Sequence, residues 1–217
     1  MPSIAFFDVD HTLINGNSGY LASFRLVKEK IFKKKRILQA VYYSLLGKIF
    51  IQNINTLYKI AFADLGGLSE EKILKIGKDV FEEKIKNLFF KKSLHLINEH
   101  KKRGDQIVLL TSGPQMVIAP LAHHIGATAF FCVSPKVAQG RLTTEPLLPI
   151  CYGKGKVHYA QNWARKQEVE LSNCSFYSDH ISDAPLLSLV GHPYVINPDF
   201  RLKRLAKKKG WPILYHQ

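Results

Sequence analysis

Ile4-Ala5-Phe6-Phe7-Asp8-Val9-Asp10-His11-Thr12-Leu13 opens the chain with four apolar residues that run straight into two acids. A short apolar run of this kind reads as a buried strand. Side chains alternate along a strand, so Asp8 and Asp10 are expected on the same side. Asn15-Gly16 then breaks the pattern, which ends the strand and turns the chain. Similar runs recur at Gln106–Leu110, Cys174–Ser178 and Pro193–Ile196, with Thr128–Val133 as a fifth. Helical patterns lie between them, at Pro114–Gly126 and Lys156–Gln167. Strands alternating with helices predict an α/β fold, a parallel sheet with helices on both faces.

One stretch breaks that rhythm. Between about Ser18 and Ser93 the sequence reads as wholly helical, with candidate helices at Gly19–Phe32, Arg36–Ile51, Asn55–Asp64 and Ser69–Phe89. Ser69 ahead of Glu70 and Glu71 is a plausible capped start. The segment is read as a helical insertion after the first strand. Within it, Ile37–Ile54 has nearly the length of a bilayer span, but Gln39, Lys48, Gln52 and Asn53 argue against one. Two readings remain for it: a buried helix of the insertion, or an interfacial helix whose preceding basic residues touch lipid headgroups.

The 217 residues suit one domain with a sizeable insertion, large enough to bury a core without disulfides. Cys132, Cys151 and Cys174 are scattered and form no CxxC pair, which speaks against a zinc site and fits a reducing cytoplasm. The first residues carry no basic region of a signal peptide. The formal net charge is +14, with clusters at Lys28–Arg36, Lys101–Arg103 and Arg201–Lys209. These are either solvated helix faces or a surface that attracts anions, such as phosphorylated substrates or an anionic membrane surface. No nucleic-acid module accompanies them, so no nucleic-acid partner is expected.

Four pieces carry the chemistry. Asp8 and Asp10 follow the first strand. Thr111-Ser112-Gly113-Pro114 follows Gln106–Leu110, and its backbone N–H groups, with the helix beginning near Pro114, suit an anion. Lys156 opens the next helix, where a cation opposes the dipole unless an anion lies nearby; Lys154 is its rival. Asp179-His180-Ile181-Ser182-Asp183 follows the strand at Cys174–Ser178 and supplies two more carboxylates. Each piece alone has an ordinary explanation. Together they place carboxylates, a hydroxyl, a lysine and carboxylates at successive strand ends, where open α/β sheets bind ligands.

That ordered set resembles the four-motif signature of the haloacid-dehalogenase superfamily. FFDVDHTL, LLTSG, Lys156 and YSDHISDAPLL match its motifs in turn. The tail GHPYVINPDFRLKRLAKKKGWPIL resembles the phosphoserine-phosphatase-like hydrolases, subfamily IB. The resemblance implies a Rossmann-like core over residues 1–17 and 92–217, with a small helical cap over residues 18–91. It implies a Mg2+-dependent phosphatase with Asp8 as nucleophile, forming an aspartyl-phosphate, and Asp10 as general acid and base. Asp8, the carbonyl of Asp10 and Asp179 would hold Mg2+, Thr111 and Lys156 would grip the phosphoryl group, and Asp183 would orient the metal shell. Asn17, Ser112 and Gly113 fall at substrate-binding positions.

The sequence departs from the family pattern in places. His11 stands where the superfamily most often has Gly. Asn17 stands where phosphoserine phosphatases carry a glutamate that pairs with the substrate ammonium. Ser112 replaces a glycine. The last two put phosphoserine in doubt. The expected substrate is a small phosphorylated metabolite, handled in the cytoplasm. A lipid phosphate, met peripherally at the inner membrane face, is the alternative, because TSGPQ also resembles phosphatidylglycerophosphate phosphatases. A non-catalytic phosphate-binding module is a third reading.

Overall fold

The computed structural model describes residues 3–33 and 54–216. Its centre is a six-stranded, all-parallel sheet in the order β3-β2-β1-β6-β7-β8. The strands are β1 (Ile4–Phe7), β2 (Gln106–Pro114), β3 (Ala129–Val133), β6 (Ser175–Ser178), β7 (His192–Ile196) and β8 (Ile213–Leu214). A separate antiparallel pair joins β4 (Pro135–Ala138) to β5 (Arg141–Pro146). The expected parallel α/β architecture is therefore present.

Why β1 is central follows from its residues. All four are fully buried, and they alternate between two cores. Ala5 and Phe7 face one cluster, with Ile107, Leu109 and Tyr177; Ile4 and Phe6 face the other, with Val108, Leu110 and Phe176. Helices α4 (Lys91–Lys102) and α5 (Gln115–His124) close the first face through Ile97, Val117 and Leu121. Helices α6 (Lys154–Lys166), α7 (Ala184–Leu187) and α8 (Phe200–Lys209) close the second through Ala160, Ala164, Leu186 and Leu202. A strand buried on both faces has no need of polar residues until it ends, which is why the acids begin at Asp8.

The segment after β1 is helical where described: α1 (Ser18–Lys28), α2 (Ile54–Phe62), α3 (Glu70–Glu83) and a 3-10 turn at Ile85–Leu88. The candidate helix Arg36–Ile51 and the possible interfacial stretch lie outside the described residues, apart from Ile54. Asn17 caps α1 by accepting from the Tyr20 N–H at 2.9 Å, and Ser69 caps α3 by accepting from Lys72. Such caps satisfy N–H groups that have no partner within the helix.

Several boundaries differ from expectation. The first helix ends at Lys28 rather than Phe32, because Lys30 takes a left-handed φ of 58°. The helix expected over Ser69–Phe89 stops at Glu83 and tightens into the 3-10 turn. Thr111–Pro114 is not a tight turn: β2 continues through it as extended backbone, with a register shift before Pro114 pairs with Val133. The β4–β5 hairpin was not foreseen. It packs against the helical segment through Lys59–Glu145 at 2.9 Å and through two backbone bonds: the Gly67 N–H donates to the Leu142 carbonyl, and the Leu142 N–H donates to the Leu68 carbonyl.

Candidate active site

The chain lays down β1, β2 and β3 outward on one side, then crosses to β6, β7 and β8 on the other. The reversal falls between β1 and β6. Open α/β sheets bind ligands beyond the carboxyl ends of their strands at such a switch point. Asp8 follows β1 and Asp179 follows β6, so both carboxylates stand there.

Lys156 joins them. Its Nζ lies 2.7 Å from Asp8 Oδ1 and 2.6 Å from Asp183 Oδ2. Lys156 is 3% exposed, Asp183 1% and Asp8 7%. The rival Lys154 is exposed, and Lys156 is the lysine brought to the acids. Lys156 reaches inward because α6 starts hard against the preceding chain: a Cβ at Gly155 would meet the Ile150 carbonyl oxygen at 1.7 Å. Burial alone would pull the Lys156 pKa down, but Asp183 and Asp8 outweigh it and hold the group protonated, above its usual range.

The remaining acids have fewer partners. Burial, then the negative charge of Asp8 and Asp183, pushes Asp179 up to about 9. Thr12 Oγ1 donates to it at 3.3 Å. Burial also raises Asp10 to about 6, opposed by the Ser18 N–H that donates to its Oδ1 at 2.9 Å. Asp8 is raised as well, by burial first and with Lys156 opposing.

This donor set fits a divalent metal. Asp8 and Asp183 share the Lys156 ammonium, and Asp10 and Asp179 stand within reach of its charge, so full ionisation of the four carboxylates leaves an excess of three negative charges. The oxygens are hard donors, which suit Mg2+. Among the described residues no three His, Cys, Asp or Glu side chains close into a cage. Mg2+ commonly takes one or two carboxylates and keeps waters and phosphate oxygens, so an open site of this kind agrees with it.

The other expected residues fall around this centre. Thr111 is buried, and its Oγ1 accepts from the Gly113 N–H at 3.0 Å. A Cβ at Gly113 would come within 2.5 Å of Ser18 Oγ, so the second motif and the start of α1 touch there. The Ser112 carbonyl accepts from the Tyr58 hydroxyl of α2 at 3.3 Å. Asn17 is half-buried, and its side-chain oxygen is occupied by the helix cap. Asp183 also accepts from Ser178 Oγ at 2.7 Å. His11 has φ 57°, the left-handed region that glycine enters without strain. That explains physically why glycine suits this position. Ser178, Thr12, Ser18 and Tyr58 were missed as contributors; Thr12 shares parity with Asp8 and Asp10 in the first motif, which was its one visible signal.

The model of haloacid dehalogenase-like hydrolases matches residues 5–188. The chain belongs to that family. The Mycobacterium tuberculosis protein "Phosphoserine phosphatase SerB1" is 31% identical to it, over 98% of this chain and 70% of that protein. "Histidinol-phosphatase" of Neisseria meningitidis is 28% identical over 99% of both chains. A solved structure of a protein with unknown function from Bordetella pertussis superposes with a TM-score of 0.89 at 22% identity. It covers 99% of this chain and 98% of that one, and shows the shared fold. This haloacid dehalogenase-like hydrolase is thus an enzyme, a phosphatase of the phosphoserine-phosphatase-like group.

Proposed function

We propose that the protein is a Mg2+-dependent phosphomonoesterase that passes the phosphoryl group first to Asp8 and then to water. The observation that carries this reading is the buried contact of Lys156 with both Asp8 and Asp183 at the switch point of the sheet. Asp8 attacks phosphorus while the bond to the leaving alcohol breaks. Asp10, with its pKa near 6, gives a proton to that leaving oxygen. It then takes a proton from the water that cleaves the aspartyl-phosphate, releasing inorganic phosphate and restoring the Asp8 carboxylate. Dividing one displacement into two eases each step.

Lys156 and the Thr111 hydroxyl would hold the transferring oxygens. Thr111 accepts from Gly113, which leaves its own hydrogen to donate. Asp8, Asp179 and the Asp10 carbonyl would hold Mg2+, which supplies positive charge against the repulsion between phosphate and carboxylate. Asp183 keeps Lys156 in place and, through it, the metal-binding acids in register. Hydrolysis of p-nitrophenyl phosphate should require Mg2+ and disappear in Asp8→Asn. Full turnover by that variant would end this reading.

We take residues 18–91 as a cap over the site, supported by the Tyr58 contact to Ser112. Asn17 is neutral and its side-chain oxygen already caps α1, so an ammonium-bearing ester finds no counter-charge there. A small phosphorylated metabolite lacking that ammonium is the favoured substrate, in a cytoplasm compatible with three free thiols. One observation favours a lipid phosphate instead. Tyr20 and Phe24 stand 51% and 63% exposed on α1, and residues 18–68 carry nine Lys and Arg against Glu29 and Asp64. No helix among the described residues is long and apolar enough to cross a membrane, so any lipid contact by them is peripheral. Sedimentation with anionic vesicles decides: binding lost in a Tyr20→Ser, Phe24→Ser double variant supports the lipid reading, and no binding removes it.

A further inference from the structure

The loop that follows β1 is braced from behind by groups that phosphoryl transfer does not use. Thr12 is fully buried, and its backbone carbonyl accepts from the Ser93 hydroxyl at 2.7 Å. Ser93 Oγ in turn lies 2.6 Å from Nδ1 of His216. Ser93 and His216 are buried too, so solvent does not compete for these bonds.

Proton accounting gives the direction. A carbonyl only accepts, so the single Ser93 hydrogen goes to Thr12. His216 must then present a hydrogen on Nδ1 to the Ser93 oxygen, which names its tautomer. The ring cannot drift, because His216 is clamped by its backbone. Asn197 Nδ2 donates to the His216 carbonyl at 3.1 Å, and the His216 N–H donates to Asn197 Oδ1 at 2.9 Å. Asn197 itself sits at φ 42°, a conformation that Asn adopts more readily than most side chains.

From Thr12 the contacts continue into the site. Its Oγ1 donates to Asp179, and the Val9 carbonyl collects the N–H groups of Thr12, Leu13 and Ile14. Between these anchors lies His11 at positive φ. A strained residue persists only where its surroundings over-determine it.

We propose that His216 and Ser93 are positioning residues for the catalytic loop: His216 orients the Ser93 hydroxyl, which fixes the Thr12 peptide and so the spacing between Asp10 and Asp179. The role assigned to the loop rests on the phosphatase reading; the contacts do not. Outer partners of metal-binding groups act in this way, by holding the inner ligands rather than touching the ion.

The test uses the full chain with Ser93→Ala, His216→Ala and His216→Asn, the last of which keeps an N–H for Ser93. Mg2+ binding is read by calorimetry without substrate, and kcat and KM with p-nitrophenyl phosphate. Ser93→Ala and His216→Ala should weaken Mg2+ binding by about 10-fold and lower kcat similarly, with KM unchanged. His216→Asn should recover most of both. Native Mg2+ affinity and kcat in His216→Ala overturn the proposal, even if its melting temperature falls. Equal losses in His216→Ala and His216→Asn overturn it as well. If Asp8→Asn turns over as the native chain does, the phosphatase reading has failed and the positioning role falls with it.

Discussion

The two ends of the central sheet treat buried polar groups in opposite ways. Near its amino end, Asp105 accepts from the Ser3 N–H at 3.0 Å, the Ser3 hydroxyl at 2.9 Å and Arg103 at 3.3 Å. His100 lies 2.8 Å from Asp105 through one ring nitrogen and 2.8 Å from the Tyr177 hydroxyl through the other. Every group there has its partner. Beyond the carboxyl end, Asp8 and Asp183 share one ammonium, and Asp179, outside that pair, is pushed up to about 9. The first arrangement holds the fold; the second leaves unbalanced charge for a ligand to neutralise. Tyr177 and Asp179 stand only two residues apart, so a single short strand serves both purposes. Low dielectric makes satisfied networks strong and unsatisfied ones costly, which is why the two are kept at opposite ends.

Removing the one cation should give the largest effect at the charged end. Lys156→Met leaves Asp8 and Asp183 buried without their partner, and should lower stability by about 3–5 kcal/mol in urea unfolding as well as abolishing turnover. A stable, inactive Lys156→Met would show that the acids are less buried than described. At the satisfied end, His100→Ala should cost about 1–3 kcal/mol by the same measurement while leaving kcat unchanged. A fall in kcat would mean that the two ends are coupled through β6.

The smallest effect has the opposite sign. Asp179→Asn should abolish Mg2+ stimulation yet raise the metal-free melting temperature by about 2–4 °C, equivalent to about 1 kcal/mol. The pH dependence sharpens the contrast. Asp179 has a raised folded pKa, so the folded state holds an extra proton; metal-free stability should fall as pH rises from 3.8 towards about 9. For Asp105, burial acts upwards, but bonds from His100, Ser3 and Arg103 win and lower it to about 2. Its contribution is present above 3.8 and lost as pH falls towards 2. Melting curves across pH should therefore separate Asp179→Asn, which flattens the alkaline slope, from Asp105→Asn, which flattens the acid one.

Much of this was legible in the sequence for a simple reason. Asp8, Lys156, Asp179 and Asp183 each had an ordinary explanation alone; their order along the chain, at successive strand ends and one helix start, is what marked them. The neutral partners had no such mark. Ser93, Ser178 and Tyr58 are selected by contacts far along the chain, and nothing local marks a hydroxyl that will be buried. The β4–β5 hairpin was hidden because its strands are bounded by Pro135 and Pro146 and are largely exposed, so neither carries the alternation of a half-buried strand. β8 is two residues long and too short for any pattern. The extension of β2 through Gly113-Pro114 arises from pairing with Val133, a long-range choice that outweighs local turn chemistry.

At Gly77 of α3, an added Cβ would lie 1.9 Å from the carbonyl oxygen of Met116 on α5. The two helices meet there backbone to backbone, with no side chain between them. Even the smallest side chain at position 77 would evict a peptide group, so this crossing of α3 over α5 admits only glycine. Drift meets no such barrier on α1, where Tyr20 and Phe24 stand exposed.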